Sequence, residues 1–158
     1  MQTSSKQVKN LSNALRELWG SILIPGLHSA LDETMRAWSK NTPRTTYIPR
    51  KPQSNGHLIY TLAMWMKCGG EIVPVVYDFI LVLKDLGFNP RATEAAKLIL
   101  QHLPERFETL TVMDSAFGYE EGFEFCERNN YLYLCALRPM LIRCGLVLVL
   151  LWPRIQVD

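Results

Sequence analysis

Asp32 and Glu33 stand side by side at the end of a short apolar stretch, and a basic segment follows them directly. Between residues 36 and 70 the chain carries six Lys or Arg residues and no Asp or Glu. A carboxylate is a hard oxygen donor suited to Mg2+ or Mn2+. A cationic arm beside it neutralises the phosphates of a nucleic-acid backbone. Together they are what a metal-dependent nuclease needs: the acid holds the cation and the arm holds the strand. The arm is also aromatic. Trp38 and Tyr47 interleave with Arg36, Lys40, Arg44, Arg50 and Lys51, which suits stacking on splayed bases as well as phosphate contact. Pro43, Pro49 and Pro52 stiffen this arm and keep it out of a sheet. A second carboxylate, Asp114, closes another apolar run, residues 110–113. On residue type alone, an Asp at a strand end is more often a turn or cap residue, and a charged loop is more often merely solvated.

These side chains need a scaffold, and the chain is long enough to supply one. Its 158 residues, 48% hydrophobic and 20% charged, fit one globular domain rather than a disordered chain. The net charge of +2 is too small to argue for nucleic acid by itself. Local clustering carries that argument, since residues 36–51 hold five of the seventeen basic side chains. Cys68, Cys126, Cys135 and Cys144 show no Cys-x-x-Cys spacing. They read as buried thiols in a reducing compartment, not as a zinc site. The polar start of the chain has no apolar core of the secretory kind. Residues 146–152 form an uninterrupted apolar run of seven, against the ~20 needed to span a bilayer. No membrane role is expected.

Val8, Leu11, Leu15, Leu18, Trp19 and Ile22 fall on one helical stripe, with Ser4 and Ser5 as caps, and read as a core-packing helix over residues 1–24. Residues 28–35 read as a first strand. Alternation from Leu58 to Met66 gives a second, Cys68-Gly69-Gly70 a turn, and residues 71–83 a third, antiparallel to the second. Pro74 argues for an edge or a bulge in that third strand. Asn89 followed by Pro90 predicts a helix start, and Pro104 its end. A strand over residues 110–113, a helix over 119–128 and a strand over 131–137 come next. Glu120, Glu121, Glu124 and Glu127 read as the solvated face of that helix, with Glu124 and Arg128 as an i,i+4 pair. His28, His57 and His102 read as structural or surface residues. The order predicts an α/β, RNase H-like fold: a three-stranded antiparallel meander followed by alternating helices and strands, incomplete at the C-terminus. Residues 25–138 would form it, with 139–158 as an apolar tail.

The wording around the acid pair resembles the catalytic core of piggyBac-like transposases of the DDE superfamily. The resemblance rests on Asp32-Glu33, then Tyr47-Ile48-Pro49-Arg50-Lys51-Pro52, then Gly56, and it continues at Val112-Met113-Asp114-Ser115-Ala116-Phe117. It covers residues 25–138. It implies that Asp32 and Asp114 are catalytic metal ligands for Mg2+ or Mn2+, and that Arg36, Lys40, Arg44, Tyr47, Arg50, Lys51 and Arg138 contact DNA. The implied reaction is phosphodiester hydrolysis and strand transfer at transposon ends. A nuclear location and no small-molecule substrate go with it, and a homodimer is compatible with it. The family's third catalytic Asp has no counterpart here, so the resemblance implies a degenerate fragment that is inactive alone. The alternative is a non-catalytic DNA-binding or protein-interaction module on the same fold.

Overall fold

The computed structural model describes residues 3–22, 24–38, 45–84, 87–103, 109–129 and 131–136. Lys40, Arg44, Cys144, Arg138 and the apolar tail lie outside the described residues. The chain is a mixed α/β fold with helices α1 (Thr3–Ile22), α2 (Ala92–Leu100) and α3 (Glu120–Arg128). Its strands are β1 (Ile24–Ala37), β2 (Thr46–Tyr47), β3 (Asn55–Cys68), β4 (Glu71–Leu81), β5 (Leu110–Met113) and β6 (Leu132–Cys135).

All six strands belong to one sheet. The long strands β1 and β3 pair antiparallel from Ile24↔Lys67 to Ala37↔Gly56, and β4 pairs antiparallel with the other edge of β3. β5 then lies parallel to β1, and β6 parallel to β5. The two-residue β2 pairs with Asn55 and Gly56, at the end of the edge that β4 occupies. The Pro-rich composition had predicted that this segment stays out of the sheet. Thr46 and Tyr47 nevertheless fall between Pro43 and Pro49 and keep their backbone N–H groups, so they are available for pairing.

The β3–β4 turn forms where the two glycines predict it. Gly69 and Gly70 have φ of 57° and 95°, the left-handed conformations that L side chains disfavour. β4 lies at the sheet edge, which suits Pro74 opposite Trp65. A register shift opposite Leu62/Ala63 puts Tyr77 between two paired residues, Val76 and Asp78. An extra residue re-aims the side chains beyond it, and here the consecutive Tyr77 and Asp78 are both buried.

Alternation along the strands separates two faces. Leu58, Tyr60, Leu62, Met64 and Met66 point to the core with Leu31, Met113 and Tyr133. Ile99, Leu100, Leu103 and Phe117 cover them from the helical layer. The Phe117 ring meets Tyr60 edge-on at 6.0 Å, and Phe123 of α3 stacks on Tyr133 of β6 at 5.3 Å. The opposite face carries Ala30, Asp32, Thr34, Arg36, Trp65, Val76 and Val112, all exposed. No described helix packs on it.

Three expectations need correction. α1 packs only in part through its apolar stripe: Trp19 lies against the core, while Leu11, Leu18 and Ile22 are about half exposed. Polar contacts share the docking. The Ser12 hydroxyl donates to Asp78 Oδ1 at 2.7 Å, Arg16 Nε lies 3.0 Å from Asp78 Oδ2, and Trp19 Nε1 donates to the Val76 carbonyl at 2.9 Å. A buried carboxylate on β4 needs these partners, which orients the helix so that only part of its stripe is covered. The second correction concerns α2, whose N-cap is Arg91 and not Asn89. The Glu94 carboxylate accepts the Arg91 backbone N–H at 2.9 Å, which satisfies an orphan donor of the first turn. Last, the thiols are not uniformly buried: Cys126 is buried, Cys135 half-buried and Cys68 exposed in the turn.

Candidate carboxylate and nucleic-acid site

The β1–β5 ladder positions the two acids. Its pairs run His28↔Leu110, Ser29↔Thr111, Ala30↔Val112 and Leu31↔Met113. Asp32 follows Leu31 inside β1 and Asp114 follows Met113 just past the end of β5, so this register, extended by one residue, would set them across from one another. Paired strands lie roughly 4.8 Å apart. Within the ladder the Ser29 and Thr111 hydroxyls are buried and 2.8 Å apart. A cross-strand hydroxyl pair of this kind penalises a one-residue slip, which would strand both groups in apolar surroundings.

Local hydrogen bonds orient each carboxylate. Asp32 Oδ1 accepts the Glu33 N–H at 2.7 Å, and Asp114 Oδ1 accepts the Ala116 N–H at 2.7 Å. Both side chains are exposed on or beside the open face of the sheet. The Asp114 carbonyl accepts from the Phe117 N–H at 3.2 Å and the Cys135 thiol at 3.1 Å, so the turn after β5 is tied down on two sides. Burial, and then the charge of Asp114, push the Cys135 thiol up to about 11. That thiol stays protonated and serves as a donor.

Glu33 has a different role from its neighbour. It points toward the helical side, opposite Tyr60, and holds Lys51 Nζ at 3.0 Å, while its own carbonyl accepts from the same ammonium at 3.2 Å. Lys51 therefore fastens the loop after β2 to β1. Burial, and then the charges of Glu33 and Glu94, push the Tyr60 phenol up to about 12. Beside Glu33 a cleft of about 630 Å3 opens between the first turns of α2 and α3, lined by Arg91, Thr93, Ala116 and Tyr119 among others. Neither Asp32 nor Asp114 lines it.

Of the cations singled out in the sequence, Arg36 and Arg50 are exposed and make no ion pair among the described residues. Tyr47 is 67% exposed on β2. Lys51 is paired as above. Lys40, Arg44 and Arg138 lie outside the described residues. Glu124 and Arg128 form the expected pair at 2.7 Å. Sequence reasoning missed Asp78, 2% exposed, which also accepts from Phe79 N–H at 2.8 Å and faces His102 Nδ1 at 3.1 Å. An Asp inside an apolar strand was the available signal. Among the described residues, no three His, Cys, Asp or Glu side chains gather closely enough to hold a metal ion, and no helix is long and apolar enough to cross a membrane.

No protein-family model and no curated protein matches the chain. Among solved structures, the fold is similar to part of a piggyBac transposase in a synaptic complex with hairpin DNA, seen by cryo-EM. The TM-score is 0.52 at 17% sequence identity, over 73% of this chain and 24% of that one. The chain thus spans about a quarter of the length of the transposase it resembles in fold.

Proposed function

We propose that this chain is a piggyBac-like, DDE-type transposase core element with an RNase H-like sheet, acting on DNA through Asp32 and Asp114. One observation supports the reading: the parallel β1–β5 register, extended by one residue, would set Asp32 within β1 across from Asp114 just after β5. The sheet supports the fold assignment. Apart from the two-residue β2, its strands run β4-β3-β1-β5-β6, antiparallel among β1, β3 and β4 and parallel from β1 to β6. The likeness to a transposase in complex with DNA supports the partner.

The donor set fits a hard divalent cation. Each acid has one oxygen engaged by a backbone N–H, and Asp32 Oδ2 and Asp114 Oδ2 would be the ligands. Mg2+ is commonly held by one or two carboxylates, with waters and substrate phosphate completing the shell. When bound, the ion supplies Lewis acidity toward a phosphodiester oxygen. The protein's own contribution is positional. The Ser29–Thr111 pair holds the register, the Glu33–Lys51 pair holds the basic loop against β1, and Arg36, Arg50 and Tyr47 present charge and a ring to the strand. With two acids and no third assigned, the reading is of a core element that binds DNA and metal and is inactive alone.

Binding of labelled duplex DNA, measured across salt concentrations with and without Mn2+, tests this. The expected result is salt-dependent binding that Mn2+ strengthens and Asp32→Asn uncouples from the metal. Binding indifferent to both metal and Asp32→Asn would instead establish a non-catalytic DNA-binding module. No DNA binding at low salt would overturn the DNA reading.

A further inference from the structure

At the end of the open face farthest from β5, three strands put a row of unusual side chains side by side. Trp38 stands across from Asn55, with its N–H donating to the Asn55 carbonyl at 3.3 Å and its carbonyl accepting from Asn55 Nδ2 at 3.2 Å. Tyr47 pairs with Asn55 from the other edge. The next row is Arg36↔His57. Alternation puts all five on one face, the same face as Asp32. Trp38 is 49% and Tyr47 67% exposed, and the Trp38 and His57 rings lie 5.3 Å apart at 57°.

Among the described residues, two polar atoms here have no partner. Asn55 Oδ1 and His57 Nδ1 are both out of solvent and make no hydrogen bond. An unsatisfied buried polar atom costs roughly 1–3 kcal/mol, so two at one spot call for an explanation. Exposed rings, a cation without an ion pair and unsatisfied hydrogen-bonding atoms on an open sheet surface are the parts of a stacking platform for unpaired bases. Duplex DNA offers rings no such access, because its bases are already stacked.

We infer that Trp38, Tyr47, Arg36, Asn55 and His57 form a subsite for an unpaired stretch of DNA running along the open face toward Asp32. Arg36 lies four residues from Asp32 on the same strand, about 13 Å at ~3.3 Å per residue. That corresponds to ~4 nucleotide steps at 3.4 Å. Tyr47 and Trp38 stack the bases, Arg36 meets the phosphate, and base edges satisfy Asn55 Oδ1 and His57 Nδ1 once the Trp38 ring swings off His57. The inference rests on the DNA reading above and adds to it the form of the DNA.

The test is binding of a labelled oligothymidylate of about ten nucleotides, a length within the usual single-strand site sizes, to the full chain and to Tyr47→Ala, Tyr47→Phe and Trp38→Leu. Thermal melting confirms that each variant is folded. Loss of one stacked base predicts roughly tenfold weaker binding for Tyr47→Ala. Tyr47→Phe should keep the wild-type affinity. Duplex binding should fall by a smaller factor than oligothymidylate binding in Tyr47→Ala and Trp38→Leu. Oligothymidylate binding that Tyr47→Ala and Trp38→Leu leave unchanged would overturn the inference, and duplex binding in the same experiment would leave the DNA reading standing. Failure of both DNAs to bind would remove both.

Discussion

Lys51 Nζ sits 3.0 Å from the Glu33 carboxylate and 3.2 Å from the Glu33 carbonyl, so one ammonium ties the basic loop to β1 directly beside Asp32. Both side chains are largely covered. Two adjacent acids thus do separate work, Asp32 facing the open side of the sheet and Glu33 anchoring the loop. A cation already engaged in this way is a poor phosphate ligand. In DNA binding read against salt, Arg50→Gln should lower the slope by about one, while Lys51→Met should leave the slope unchanged. Equal slope losses in the two variants would show that Lys51 leaves Glu33 to meet the DNA.

Gly56 explains its own place in the sequence. A Cβ there would lie 2.2 Å from the Arg36 carbonyl oxygen on the neighbouring strand. The obstruction is backbone, which cannot rotate away. Gly56→Ala should destabilise the fold by about 1–3 kcal/mol, seen as a lower denaturant midpoint with an unchanged slope. Wild-type stability in that variant would mean that β1 and β3 separate here at little cost.

Asp78 fastens the N-terminal helix. Its carboxylate is shared by Ser12, Arg16 and His102, and its side chain is 1% exposed. Asp78→Ala leaves the Arg16 guanidinium without its counter-charge and should cost about 3 kcal/mol. Amide hydrogen exchange in α1 should rise more than in β3, because the Asp78 carboxylate joins α1 to β4 and takes no part in the β1–β3 ladder. Uniform loss of protection would contradict that local role.

Alkaline pH should weaken the fold. Burial, and then the charges of Cys135 and Glu127, push the Cys126 thiol up to about 12 from an ordinary value of 9.0. Between these values the unfolded chain has released a proton that the folded chain retains, so stability falls as pH rises through this window. Cys126→Ala should flatten that fall in melting temperature. An unchanged pH dependence in the variant would assign it to Cys135 and Tyr60, held up in the same direction. At neutral pH, iodoacetamide should modify exposed Cys68 and spare Cys126 until the chain is unfolded.

Features governed by local rules were legible in the sequence. The β3–β4 hairpin followed from alternation and two glycines that adopt positive φ. The parallel pairing of β1 with β5 followed from reading residues 28–35 and 110–113 as neighbouring strands of one α/β sheet. Features set by distant partners escaped. Ser12 and Asp78 are 66 residues apart, and no periodicity within α1 reports that its polar face shares in the docking. Lys51 read as a DNA contact from its type and neighbours, and its pairing with Glu33, 18 residues away, was not legible there. The Arg91 cap depended on Glu94 three residues later, a weaker signal than Asn89-Pro90. Asn55 and His57 were passed over because an orphaned atom is visible only once its surroundings are.

The central claim is that Asp32 and Asp114 form one cation site, and a Mn2+ titration followed by thermal melting tests it most directly. Wild type should gain stability as the free metal rises past its dissociation constant, by about 2.7 kcal/mol at a hundredfold excess over it. The Asp32→Asn/Asp114→Asn variant should melt cooperatively without that gain. Equal gains in both proteins, or none in a cooperatively melting wild type, would contradict the claim.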